Sequence, residues 1–260
     1  MSRLARPLAF ALAVVILGFL AFELWIVIPQ MRPEALGVDF HQYLEHTQRW
    51  LDGGSLYLER QLRGPYEIQA GDSLYPPPIL YLTVPFVLAV PQLIWWAIPL
   101  TVIAVVVVRC RPAPWTWPLL AAMIATPRSI EIVMYGNPVI WCTAALAAGT
   151  LLGWPAVFVI LKPSLAPLAI WGIRRRSWWI AVAVAIVAAL PFGAMWLEWI
   201  QVIRDSSGSL LYSIPDLFFV LLPVVAWLGR RRTSASADMV PKGAVSGPEQ
   251  EGPAAILGAP

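Results

Sequence analysis

Apolar residues come in long unbroken blocks along this chain. The first runs from Pro7 to Pro29, and the others follow one another almost without pause from Pro78 to residue 229. A helix needs about 20 apolar residues to cross a bilayer. A membrane β-barrel would instead show weakly alternating stretches of about 10 residues. The pattern predicts an all-α, multi-pass transmembrane helical bundle of about eight spans. The first block is one; the others are 78–90, 92–108, 115–133, 137–152, 154–172, 178–197 and 210–229. Segments 78–90 and 137–152 are short for a crossing, so one of them is expected to be re-entrant or strongly tilted. Prolines 91, 99, 127, 138, 155, 163 and 167 point to broken helices lining a cavity.

Residues 31–76 form the one long polar stretch before the C-terminal tail. Within it Phe40, Tyr43, Leu44, Thr47, Trp50 and Leu51 recur at helical spacing, and Gly53-Gly54 ends the pattern. This spacing predicts a short amphipathic helix. It is expected to lie on the outer membrane surface with Tyr43 and Trp50 at headgroup level.

Composition agrees with a membrane protein. Of 260 residues 59% are hydrophobic and 13% charged, against about 25% charged in soluble domains. This excludes an ordinary soluble enzyme, a nucleic-acid-binding domain and a disordered chain. The net charge of +3 comes from arginine clusters at block ends. The polar stretch 31–76 holds four Arg against seven Asp or Glu, which places it outside the cell, with both termini inside. Eight spans then put Arg174-Arg175-Arg176 and Arg230-Arg231-Arg232 inside as expected, and Arg109 and Arg111 outside, against the positive-inside rule. Residues 1–232 read as one membrane domain, and 233–260 as a disordered cytoplasmic tail rich in Ala, Gly, Pro and Ser. Cys110 and Cys142 lie at or inside apolar segments and suggest neither a disulfide framework nor a metal site. No cofactor motif appears.

The candidate chemistry gathers at a few positions. Asp39 starts the amphipathic helix, where it serves as an N-cap, as a general base, or as both. His41 is either a second titrating group or a solvated loop histidine. Tyr75, with Pro76 to Pro78, either borders a site or stiffens the entry to the next helix. Lys162 lies in an apolar run beside Pro163, so it is expected to face a cavity or a phosphate, to snorkel, or to pair with an acid such as Glu23. Gly136-Asn137-Pro138 interrupts another apolar region as a polar lining element or a turn.

These residues together resemble the bacterial GT-C-type glycosyltransferases of family 87, polyprenol-phosphate-mannose-dependent mannosyltransferases. The likeness rests on Gly37-Val38-Asp39-Phe40 with Tyr43, on Gly53-Gly54 with Tyr57, on Tyr75-Pro76-Pro77, and on Leu161-Lys162-Pro163 followed by an arginine cluster. It covers roughly residues 8 to 200. Asn137 stands where the family tends to have Gln, and the chain lacks several C-terminal spans expected there. The resemblance implies transfer of a sugar, mannose by analogy, from a polyprenyl-phosphate donor to a glycolipid or glycan acceptor. The reaction would take place at the outer face of a bacterial plasma membrane. Asp39 would be the catalytic base, and Tyr43, Tyr75, Asn137, Lys162 and His41 would bind substrate. No cofactor or metal is implied, and membrane lipids are the expected surroundings. The alternative is a non-catalytic membrane protein, either a transporter or an accessory subunit of a glycosylation system; the short chain favours it.

Overall fold

The computed structural model describes residues 5–27, 36–69, 71–207 and 214–231. The tail 233–260, Arg3, Arg232, the start of the polar stretch and part of the last apolar block lie outside these residues, as does the side chain of Glu23. The described residues are 74% helix and 3% strand, as an all-α bundle requires.

The apolar helix α1 spans Ala5–Val27, and α2 spans Val38–Leu51. A short turn α3, Glu59–Leu62, and a strand β1, Tyr66–Glu67, lead to α4, Leu80–Leu88. Helix α5 covers Leu93–Cys110. Then come α6 at Thr116–Ile124, α7 at Pro127–Met134 and α8 at Val139–Leu152. Residues 154–172 form two 3-10 stretches that break at Lys162. Helices α9 (Arg176–Ala189) and α10 (Met195–Asp205) follow, then β2 (Ser206–Ser207), α11 (Leu217–Val220) and α12 (Leu222–Leu228).

The apolar blocks do not become eight straight spans. Among the described residues, by length and composition, α5 alone is long and apolar enough to cross a membrane; there are up to three such spans if two bent pairs count as one each. Proline is the main reason. It removes a backbone donor and clashes with the preceding turn. Pro127 therefore opens α7, and Pro155 and Pro163 open the two 3-10 stretches. Pro85, Pro99 and Pro167 are exceptions that sit inside α4, α5 and the second 3-10 stretch.

Block 154–172 is a hairpin rather than a crossing. Its end returns to its start: a Cβ on Gly172 would lie 2.4 Å from the Gly153 carbonyl oxygen. Arg175 also donates from a guanidinium nitrogen to the Leu151 carbonyl at 2.5 Å. Block 78–90 yields the nine-residue α4, preceded by a 3-10 turn at Pro77–Ile79. Phe86 near its end and Trp95 near the start of α5 both pack on Phe40.

Two further expectations change. Arg111 and Arg231 are neighbours, joined by the Arg231 N–H to the Arg111 carbonyl at 3.4 Å, with Pro112 bridging Arg230. They therefore lie at one end of the bundle, not on opposite sides of a membrane. The amphipathic helix also packs on protein: Phe40, Tyr43, His46 and Thr47 of α2 are buried, and Thr47 Oγ1 donates to Thr83 Oγ1 of α4 at 2.7 Å. Tyr43 is 7% exposed and is not a headgroup anchor.

The polar stretch has a partner that the hydrophobic pattern did not single out. Helix α10 meets the preceding segment at 96° and turns its side chains onto residues 55–75. Ser55 donates to Glu198 at 2.6 Å, Trp199 to the Leu74 carbonyl at 3.1 Å, and Gln201 to the Leu62 carbonyl at 2.7 Å. Tyr66 pairs with Ser206 in the parallel β1–β2 ladder, and its hydroxyl reaches the Val202 carbonyl at 3.1 Å.

Candidate functional site

Helix α2 begins at Gly37, whose φ of 73° is a left-handed conformation, with no side-chain cap. Asp39 therefore lies in the first helical turn and is not the N-cap. A carboxylate there is favoured by the helix dipole and is left unused by the backbone. The Gly37 and Phe40 N–H groups donate to the Met134 and Tyr135 carbonyls at 2.8 and 3.1 Å, fixing α2 to the end of α7.

At that end the chain bends by 104° between α7 and α8. Gly136 makes the bend with φ 70°, and a Cβ there would lie 2.7 Å from Trp96 and 2.9 Å from Phe40. Trp95 Nε1 donates to the Gly136 carbonyl at 2.8 Å. Gly136-Asn137-Pro138 is thus a turn and a polar element at once. Asn137 Nδ2 donates to Asp39 Oδ2 at 2.6 Å, and Asn137 Oδ1 accepts from the Val139 N–H at 3.1 Å and from the Tyr75 hydroxyl at 3.4 Å. Tyr43, one turn after Asp39 on the same face, meets Tyr75 edge to face at 5.3 Å.

Lys162 sits at the tip of the 154–172 hairpin and is 3% exposed. Its ammonium meets Asp216 Oδ2 at 2.5 Å, while Arg128 Nε holds Asp216 Oδ1 at 2.7 Å and Arg128 also reaches Glu131 at 3.1 Å. Asp216 is fully buried between two cations, as a buried charge must be. The Asp39 carboxyl is pushed above the ordinary carboxylate range, first by burial. The Asn137 hydrogen bond and the charges of Arg128 and Lys162 oppose that rise.

The structure therefore brings Asp39, Asn137, Tyr75 and Tyr43 together, with Lys162 close enough to influence Asp39. His41 stands apart. It is exposed, and its Nδ1 bonds the Gly37 carbonyl at 2.8 Å. Arg128 and Asp216 were not among the candidates. The signal that marked Lys162, an ionisable residue inside an apolar block, marks both of them equally. Among the described residues no cluster of His, Cys, Asp or Glu has the form of a metal site.

An apolar cavity of about 720 Å³ adjoins these groups. Pro76, next to Tyr75, lines it, as do Leu161 and Pro163, which flank Lys162, and Trp141, one turn after Asn137. Trp196, Trp199 and the alanines of α8 and α9 complete the wall. The chain matches no protein-family model, no curated protein and no solved structure.

Proposed function

We propose that the chain is a membrane glycosyltransferase that takes a sugar from a polyprenyl-phosphate donor, with Asp39 as general base. One observation carries this reading. A raised-pKa carboxylate, oriented by Asn137, feels the charges of Arg128 and Lys162, and the chain neighbours of Tyr75 and Lys162 line an apolar cavity of about 720 Å³. The cavity suits a prenyl chain, the cations suit its phosphate, and the carboxylate suits an acceptor hydroxyl. Mannose as the sugar and a glycolipid or glycan acceptor come from the family resemblance. So do the outer-face location and the bacterial plasma membrane. Asp39 would take the acceptor's proton as its oxygen bonds to the sugar carbon, and the lipid phosphate would leave with the electron pair of the broken bond.

The test uses purified protein and radiolabelled polyprenyl-phosphate sugar. Wild type is expected to transfer label, and Asp39→Asn to lose about 10²-fold or more, the usual scale of general base catalysis. Because burial raises the Asp39 pKa, the rate should climb with pH through a limb above the ordinary carboxylate range. Asp39 is not the helix cap, so Asp39→Asn should express and melt normally.

A second reading is favoured by the Lys162–Asp216–Arg128 cluster itself, whose charges satisfy one another without a ligand. A non-catalytic protein, either a transporter or an accessory subunit, would use the cluster only as a pin between the hairpin and the last helices. Unchanged transfer in Asp39→Asn, or no transfer by wild type, would favour it.

A further inference from the structure

We infer that the arginine end of the bundle is a docking surface for the anionic phospholipid headgroups of one leaflet, and that Arg109 and Arg111 belong to it. Three helical runs start at the Asp39 end and finish there. Helix α5 leads from Trp95, packed on Phe40, to Arg109 and Arg111. Helix α8 leads from Asn137 to Leu151, which accepts from Arg175. Helices α11 and α12 lead from Asp216 to Arg230. At 1.5 Å per residue α5 is about 27 Å long, close to the roughly 30 Å of a hydrocarbon core. By the same rise the 14 residues of α8 cover about 21 Å, so the two ends stand about 20–27 Å apart, the scale of a hydrocarbon core.

The tertiary contacts gather arginines that are remote in sequence. The Arg231 N–H bonds the Arg111 carbonyl. Arg230 lies 3.8 Å over the Trp227 ring, and Trp227 meets Trp171, just before Arg174, at 5.2 Å. Arg109, Arg111, Arg174, Arg175, Arg176, Arg230 and Arg231 are all exposed. Among the described residues none of them meets a carboxylate, since every ion pair lies elsewhere. Exposed Trp115, Trp154 and Trp179 accompany them, as aromatic side chains do at a membrane–water interface. An unneutralised guanidinium cluster with a tryptophan belt at the end of an apolar bundle fits phosphate-bearing lipid headgroups. Helices of this length also remove the conflict that eight spans created, because every described arginine cluster then faces the same leaflet.

The experiment uses the full chain, purified by detergent from membranes of equal parts phosphatidylcholine and phosphatidylglycerol. The retained lipid should be enriched in phosphatidylglycerol. Arg174→Gln/Arg175→Gln/Arg230→Gln should cut that enrichment by about tenfold, since each arginine near a surface strengthens anionic-lipid contact severalfold. The control Arg63→Gln, at the other end, should leave it unchanged. Retained lipid with the source composition, or enrichment that survives the triple variant, would overturn the assignment. In a Cys110→Ala/Cys142→Ala background, Arg111→Cys and Asp52→Cys should react with an impermeant thiol reagent from opposite sides of sealed vesicles. Labelling from one side overturns the inference. None of these readouts depends on sugar transfer.

Discussion

At the Asp39 end most arginines have a carboxylate. Arg60 holds Asp72 at 2.5 Å, Arg63 pairs with Glu59, Arg128 bridges Asp216 and Glu131, and Arg204 holds Asp205 at 2.8 Å. At the other end the Arg175 guanidinium meets a backbone carbonyl, and that of Arg230 a backbone carbonyl and an indole ring. The same residue type is therefore doing two kinds of work. Where acids are at hand, it is neutralised inside the protein and fixes the loop 55–76 and the site. Where they are absent, its charge is left for something outside the chain. Composition alone, with its modest net charge of +3, hides this division.

Breaking the buried cluster should give the largest effect. Asp216→Leu removes the buried carboxylate that neutralises Lys162 and, together with Glu131, Arg128. It should cost about 3–5 kcal/mol, read by thermal melting in detergent. The double variant Lys162→Met/Asp216→Leu should recover most of that loss. A double variant as unstable as Asp216→Leu would mean that the pair itself, not the unpaired charge, sets the cost. Donor binding sharpens the point: a phosphate-contacting lysine predicts weaker binding in Lys162→Met even when the protein is stable.

The next effect is pH-dependent and again belongs to the paired end. His46 is 3% exposed, and burial, helped by the charge of Arg49, lowers its pKa to about 4. The folded state therefore binds the proton more weakly than the unfolded state. His46 contributes stability that is full above about pH 6.5 and is lost as pH falls through about 4. The span is on the order of 3 kcal/mol at the usual conversion. Melting temperature should drop over that window, and His46→Phe should flatten the drop. An unchanged slope would assign the acid sensitivity to other groups.

Gly136→Ala should cost about 1–3 kcal/mol, from a left-handed residue and crowding against Trp96 and Phe40. Because Gly136 sets the bend, transfer should fall further than stability does. The smallest effect is expected for Glu59→Gln. Its ion pair with Arg63 is largely exposed on both sides, and such pairs contribute about 0–1 kcal/mol. A larger loss would show that the docked loop is more rigid than its exposure suggests.

Much of this was legible in the chain itself. The helical spacing of Phe40, Tyr43, Thr47 and Trp50 gave α2, because one buried face imposes the 3.6-residue period whatever covers it. The long apolar run gave α5. The prolines marked where blocks break. Asp39, Asn137, Tyr75 and Lys162 stood out as polar residues beside apolar runs. What the period could not say was which surface buried the face of α2, and lipid and α4 look alike to it. Nor could apolar blocks reveal direction. A helix that crosses, a 3-10 hairpin that returns and a short re-entrant turn are all simply hydrophobic in sequence.

The sequence by itself determined that this protein is an apolar helical bundle with a polar, acid-rich flank and arginines at its block ends. Burial of apolar surface and the backbone limits of proline are local properties, readable from neighbours a few residues away. Only the tertiary structure decided that Asn137 meets Asp39, that Asp216 sits between Lys162 and Arg128, and that Arg111 lies beside Arg231. Those partners are separated by 54 to 120 positions. Their meeting depends on how the helices turn at Gly136 and at the hairpin tip, where small changes of backbone angle redirect everything that follows.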